Sequence, residues 1–109
     1  MARRQYLSQT KNAARRFGLQ LATARRRQLR TAEEVAERAG ITRVTLRRIE
    51  RGDPEAALGL YFEVATVLSV PLFGAQGREL AELVAQGQRD LALLPDRINV
   101  GLENVDDDF

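Results

Sequence analysis

The chain has 109 residues, of which 44% are hydrophobic and 29% charged, with a formal net charge of +2. This length and composition predict a globular protein with one modest core. Cysteine and histidine are both absent, which excludes disulfides and thiolate or imidazole metal sites and removes the commonest general base. The sequence also lacks a glycine-rich phosphate loop and metal-spaced carboxylates, so we expect no enzyme activity, no cofactor and no metal.

The charges are divided unevenly along the chain. Residues 1–51 contain 14 Lys/Arg against 4 Asp/Glu, a local charge of +10, and residues 52–109 contain 3 against 11, a local charge of −8. This division predicts a basic surface for a polyanion in the first half. No apolar run approaches the roughly 18–20 residues that span a membrane, and no signal-peptide pattern is present. We therefore expect a cytoplasmic protein without a membrane partner.

The first predicted helix follows a basic N-terminal lead. Residues 1–11 are expected to be flexible. In residues 12–27, Phe17, Leu21 and Ala24 recur at three- and four-residue spacing, which predicts an amphipathic helix.

Capping residues indicate two short helices next. Thr31 stands at the N-cap position of a helix over residues 32–39, and Glu34 follows at capping-box spacing. Gly40 suits the left-handed turn that ends such a helix. A third helix is predicted over residues 43–51.

The second half of the chain predicts two more helices, a strand and a tail. Residues 57–68 form a fourth helix and residues 78–85 a fifth, with another helical turn at residues 88–94. Residues 97–100 alternate polar and apolar side chains, which predicts a short strand. Residues 103–109 form an acidic tail. The predicted fold is all-α, with five helices.

The segment from Ala32 to Arg51 joins two short helices through a glycine turn. The small side chain of Ala36 allows a close helix crossing, and Leu46 and Ile49 bury the back of the second helix. This is the spacing of a helix-turn-helix, whose second helix enters the DNA major groove. A helical hairpin with a solvated basic face is the alternative. The outer face carries Arg43, Val44, Arg47 and Arg48.

Residues 17–70 resemble the Cro/C1-type (Xre family, lambda-repressor-like) helix-turn-helix domains, five-helix bundles that usually bind operators as homodimers. RRIERGDP, LGLYFEVATVLSVPLF, ALLPDRI and the terminal DDDF resemble the HipB-like antitoxins. That subfamily represses its own operon and binds a HipA-type kinase toxin. The resemblance implies a DNA-binding domain at residues 12–70 and a dimerisation segment at residues 71–102.

The same resemblance implies which residues contact DNA. The first two residues of the recognition helix and one a turn later contact bases, here Arg43, Val44 and Arg48. Arginine suits guanine O6 and N7, and valine suits the thymine methyl group. Ala32 stands where many relatives carry a glutamine that braces the base-contacting side chain. Phosphate contacts, which set register and affinity, are expected from Thr31, Thr42, Thr45, Arg47 and Arg51.

The resemblance also implies an ion pair and a dimer. The family commonly pairs an arginine of the first helix with an acid of the third, here Arg25 and Glu50, and we expect this pair to fix the recognition helix. One recognition helix covers too few base pairs for specific repression, so we expect a homodimer on a palindromic operator of double-stranded DNA. The apolar residues of the second half form either the dimer surface or part of the monomer core: Leu80, Leu83, Val84, Leu91, Leu94, Ile98 and Val100.

Three functions remain open at this point. The first is a sequence-specific repressor that is also the antitoxin of a HipA-type kinase. The second is a stand-alone Xre-type regulator without a toxin partner. The third is an adaptor that binds a protein and has incidental DNA affinity. The basic residues of the first half favour DNA as the target.

Overall fold

The computed structural model describes residues 4–96, and the helices in that range number five. The chain divides into two compact units between residues 76 and 77. The first unit contains the first four helices, and the second contains the fifth. The helices are α1 (Ser8–Arg27), α2 (Ala32–Ala39), α3 (Arg43–Glu50), α4 (Leu58–Val67) and α5 (Arg78–Ala92).

The predicted helical class is confirmed for residues 4–96, where the β pairing is an isolated bridge between Leu72 and Ala75. The second helix has the predicted bounds, and the third ends one residue earlier than predicted. Three expectations lie outside the described residues: the strand at residues 97–100, the dimer contacts of Ile98 and Val100, and the acidic tail at residues 103–109.

α1 begins four residues before its predicted start. It includes residues 8–11 of the expected flexible lead. Lys11 N donates to Leu7 O at 3.1 Å, so the helical hydrogen bonding extends to the first turn. All four residues of that turn are polar, so the spacing of apolar residues could not predict that it is helical.

α5 is continuous where the sequence indicated a break between residues 85 and 88. Gly87 in a helix interior costs about 1 kcal/mol relative to alanine. Gln86 Nε2 donates to Asp90 Oδ1 at 2.8 Å, and Arg89 Nη2 donates to Gln86 Oε1 at 2.7 Å. These side-chain pairs span the glycine and partly offset its cost.

The core of the first unit is built from one face of each of its four helices. Leu21, Val35 and Val64 are completely buried, and burying a side chain of this size contributes about 1.5–3 kcal/mol. α1 packs against α3, and α2 packs against both α3 and α4. The buried cluster consists of Leu21, Val35, Ala36, Ala39, Leu46, Ile49, Tyr61, Val64, Ala65, Leu68 and Val70.

The turns on both sides of α2 have the predicted chemistry. Thr31 Oγ1 accepts a hydrogen bond from Glu34 N at 3.0 Å where α2 begins. Gly40 ends that helix with a φ of 72°, a left-handed conformation that glycine adopts without strain. Thr42 Oγ1 accepts from Thr45 N at 3.1 Å where α3 begins. Local hydrogen bonds therefore define both ends of the helix-turn-helix turn.

The turn between α1 and α2 contacts the C-terminal end of α4. Gln28 Nε2 donates to Leu68 O at 2.8 Å, and Arg30 Nη1 donates to Val67 O at 2.9 Å. The last carbonyls of a helix have no partners within it, and a cation there also interacts favourably with the negative end of the helix dipole. Arg30 also hydrogen-bonds Glu34, which lowers the pKa of that carboxyl group. One arginine thus joins the α1–α2 turn, α2 and α4.

A close backbone approach joins α1 to the C-terminal end of α3. A Cβ atom on Gly18 would lie 2.7 Å from Gly52 N and 2.8 Å from Glu50 O. Gly52 has a φ of +77°, and a Cβ atom there would lie 2.6 Å from Ala14 O. These neighbours are backbone atoms, so they cannot rotate away as a side chain can. The two glycines therefore permit a helix contact that no larger residue allows.

Replacing Gly18 by alanine is expected to destabilise the protein by about 2 kcal/mol, because overpacking typically costs 1–3 kcal/mol. Gly59→Ala in α4 is the matched control, since a Cβ atom there meets nothing within 4 Å. Alanine at that position should stabilise the helix by about 0.5–1 kcal/mol. Urea unfolding at neutral pH measures both changes, and effects of the same sign at the two sites would contradict the close approach.

Candidate nucleic-acid interface

α3 has one face in the core and one in solvent. Leu46 and Ile49 are buried, whereas Val44 is 65% exposed and Arg43 and Arg47 are also exposed. Side chains three and four residues apart share a helix face, so this alternation follows directly from the sequence. The outer face combines positive charge with an exposed apolar side chain.

Arg43 lies at the N-terminal end of α3 and faces the start of α2. Its Nη1 atom is 3.8 Å from Glu33 Oε2, and both side chains are more than half exposed. An exposed pair of this kind contributes at most about 1 kcal/mol, so Arg43 can exchange Glu33 for a stronger acceptor at little cost. The neighbouring Ala32 is half-buried and has no polar group that would brace Arg43.

Three threonines lie at the N-terminal ends of α2 and α3. The oxygens of Thr31 and Thr42 accept the capping hydrogen bonds, and the Thr42 hydroxyl donates to Thr45 Oγ1 at 3.1 Å. Backbone N–H groups and the helix dipole favour an anion at such ends. Their phosphate contacts stay a prediction.

A largely buried ion pair joins α3 to α1. Arg25 Nε donates to Glu50 Oε2 at 2.7 Å, and Arg25 Nη2 donates to Glu50 Oε1 at 3.1 Å. The two side chains are 12% and 13% exposed. The hydrogen bond that Arg25 donates to Glu50 raises the pKa of Arg25, whose Nη1 also donates to Arg30 O at 3.0 Å. The structure thus contains the pair expected from the sequence, in a bidentate geometry that orients both partners.

Arg48 is half-buried on α3 and contacts the loop that follows the helix. Its Nε atom donates to Asp53 Oδ2 at 2.9 Å. Arg48 was predicted from the sequence as a base contact, and Asp53 was not predicted as a site residue. The signal that was present is the acid directly after Gly52, because a glycine with positive φ can turn the chain back along the helix.

Basic side chains of α1 line two clefts beside α3. Lys11 and Arg15 were not predicted as site residues, although their four-residue spacing places them on one face of α1. A cleft of about 580 Å³ is lined by Lys11, Arg15, Leu19, Glu50, Arg51, Gly52, Asp53 and Pro54. A second, of about 350 Å³, is lined by Leu19, Ala22, Thr23, Arg26, Arg47, Glu50 and Arg51.

α5 presents apolar side chains to solvent. Four of the expected dimer residues are between 46% and 71% exposed, namely Leu83, Val84, Leu91 and Leu94. Leu80 is half-buried. Leu80, Val84 and Leu91 are four and seven positions apart within α5, which places them on one helix face of the kind that two helices bury against each other, and Leu94 lies beyond the end of the helix.

Residues 4–96 lack two other features that bear on function. That part of the chain has no group of three His, Cys, Asp or Glu side chains that could hold a metal ion. None of its helices is long and apolar enough to cross a membrane.

Glu50→Gln should lower the free energy of unfolding by about 3 kcal/mol, because it leaves the Arg25 charge buried without a counter-charge. Replacing both partners, with Arg25→Met and Glu50→Leu together, should cost less than Glu50→Gln alone, since no buried charge remains. Urea unfolding of the three proteins measures the difference. A double variant that loses as much stability as Glu50→Gln, or more, would contradict this account.

Comparison with protein families identifies the domain that carries these features. Residues 21–74 match the family model described as Helix-turn-helix. The match includes α2, α3, α4 and the part of α1 that contains Arg25. Comparisons with curated proteins and with solved structures find no match. Residues 21–74 are therefore a helix-turn-helix domain of the Cro/C1 (Xre) type, the DNA-binding domain of a transcription regulator.

Proposed function

We propose that this chain is a repressor that binds a specific DNA site with α3 in the major groove. The observation that carries the proposal is the outer face of α3. Arg43, Val44 and Arg47 are exposed there, on a helix fixed to α1 by the Arg25–Glu50 ion pair. A fixed helix presents its side chains to base edges in one register.

The side chains of α3 suit two kinds of contact. Arg43 and Arg48 contact guanine O6 and N7, and Val44 contacts a thymine methyl group, each good bidentate contact giving about 1–3 kcal/mol of discrimination. Contacts with phosphate oxygens set affinity without sequence preference. We assign these to Thr31, Thr42, Thr45, Arg47 and Arg51.

The clefts beside α1 extend the proposed phosphate contacts. Lys11 and Arg15 line the same cleft as Arg51, and Arg26 lines the second cleft with Arg47. A DNA strand that passes the C-terminal end of α3 would meet these cations next. Each phosphate that a cation neutralises releases counterions, which makes the affinity dependent on salt.

We further propose that two copies bind together on a palindromic operator. The exposed side chains of Val84 and Leu91 support this proposal, because they are seven residues apart on α5 and a second copy of the helix would bury them. Leu91→Asp tests it: sedimentation should show a dimer of the wild-type chain and a monomer of the variant. A monomeric wild-type chain that still footprints both half-sites would contradict dimerisation through α5.

The resemblance to HipB-like antitoxins supports a second partner, a HipA-type kinase toxin. That support comes from LGLYFEVATVLSVPLF, ALLPDRI and DDDF. Co-expression with a HipA-type kinase should relieve the toxicity of the kinase and yield a complex on purification. A kinase that stays toxic and separate would leave the stand-alone regulator.

Gel shifts with the DNA upstream of the coding sequence, across a salt series, test the repressor proposal. Arg43→Ala should reduce the base preference at one position of each half-site, by about 1–3 kcal/mol. Arg51→Ala should weaken binding to all sequences alike and reduce the slope of log K against log salt by about 0.9, the value for one phosphate contact.

Arg89→Ala is the charge control, since it removes the same charge from α5 rather than α3. It should leave both base preference and salt slope near the wild-type values. If the wild-type chain binds weakly and without sequence preference at every salt concentration, the adaptor function is favoured instead.

A further inference from the structure

We propose that Asp53 is a specificity-determining residue, which holds Arg48 in position to contact one guanine of the DNA site. The inference rests on the proposed function, since it requires α3 to lie in the major groove. Asp53 itself contacts no base in this proposal. It acts through Arg48, as a positioning residue.

Hydrogen bonds at its N–H, its carbonyl oxygen and its carboxylate hold Asp53 in place. Its N–H donates to Arg48 O at 3.0 Å, and its Oδ1 atom accepts from Glu55 N at 2.8 Å. Its carbonyl oxygen accepts from the Tyr61 hydroxyl at 2.7 Å. Tyr61 is 5% exposed and stacks on Phe17, with ring centroids 5.4 Å apart. The carboxylate is therefore attached to the core rather than to a mobile loop.

The remaining carboxylate oxygen orients Arg48. Asp53 Oδ2 accepts from Arg48 Nε at 2.9 Å. The guanidinium group is a rigid planar fork, so fixing Nε also fixes the plane in which the two terminal nitrogens lie. A bidentate contact with guanine O6 and N7 then uses Nη1 and Nη2. Arg48 is one turn from the exposed Val44 on α3, so both side chains can meet neighbouring base pairs.

A carboxylate this close to the α3 face is unfavourable for contacts with phosphate, because like charges repel. Asp53 also lines the cleft that contains Lys11, Arg15 and Arg51. A residue selected only for DNA affinity would be neutral or basic there. A carboxylate at position 53 is explained if it restricts the Arg48 side chain before DNA binds, because less conformational entropy is then lost on binding.

The test is selection of binding sites from a randomised DNA pool by the wild-type chain, Arg48→Ala, Asp53→Asn and the double variant. Asparagine keeps an oxygen for Glu55 N but places an amide donor toward Arg48. We expect Asp53→Asn to lower one guanine preference per half-site about fivefold or more, the low end for a bidentate contact. Arg48→Ala should lower the same preference, and the double variant should lose no more than Arg48→Ala.

Two controls separate positioning from loop stability. Glu34→Gln removes the carboxylate charge from the Arg30–Glu34 pair, whose atoms are 3.1 Å apart, and should leave every base preference unchanged. Asp53→Ser serves if Asp53→Asn does not fold, because serine can still accept from Glu55 N and is too short to reach Arg48. It should reduce the same guanine preference.

The outcomes distinguish this inference from the function on which it rests. A wild-type chain without any base preference would overturn both. A wild-type preference that Arg48→Ala reduces and the Asp53 variants leave intact would overturn the positioning role alone. The positioning role would also be overturned if the Asp53 variants weakened binding to all sequences equally, since that result is expected of a residue that only stabilises the loop.

Discussion

The contact between α1 and the C-terminal end of α3 determines where the DNA-binding surface lies. Gly18 and Gly52 bring the two backbones together with no side chain between them. The ion pair of Arg25 with Glu50 then opposes rotation of α3 about its own axis. One constraint is steric and the other electrostatic, so they restrict different motions of the same helix. Because both exist within the free protein, α3 does not need to become ordered when DNA binds.

The charges of the first half serve two separate purposes. Glu50 accepts from Arg25, Arg25 donates to the carbonyl of Arg30, and Arg30 donates to the carbonyl of Val67. This series of hydrogen bonds leads from α3 through α1 to the end of α4. The arginines in it are part of the scaffold, so the local charge of +10 overstates the charge that is available to DNA. A salt slope estimated from composition would be too steep for the same reason.

The sequence predicted α2, α3 and their caps because Thr31, Gly40 and Thr42 act within a few residues of themselves. The Arg25–Glu50 pair came from family resemblance, since nothing local indicates a partner 25 residues away. The Gly18–Gly52 approach and the Arg48–Asp53 pair were missed. The Gly18–Gly52 approach depends on how separate segments pack, which helical periodicity does not encode. The Arg48–Asp53 pair depends on the backbone conformation of Gly52, and a single sequence gives no φ angle. α5 is the opposite case, because it continues through Gly87 although glycine has a low helix propensity, and side-chain hydrogen bonds partly offset that cost.

The Tyr61 hydroxyl links the loop after α3 to proton binding. Burial, with the charge of Asp53 as a smaller cause, raises the pKa of Tyr61 to about 12, whereas a tyrosine in an unfolded chain has a pKa of about 10. Between these values the unfolded chain has released a proton that the folded chain retains. The stability contributed by this group is therefore complete below about pH 10 and is lost as the pH rises toward 12. At alkaline pH the Tyr61 hydroxyl therefore loses the proton that it donates to the Asp53 carbonyl oxygen. The loop beside α3 is then less firmly held.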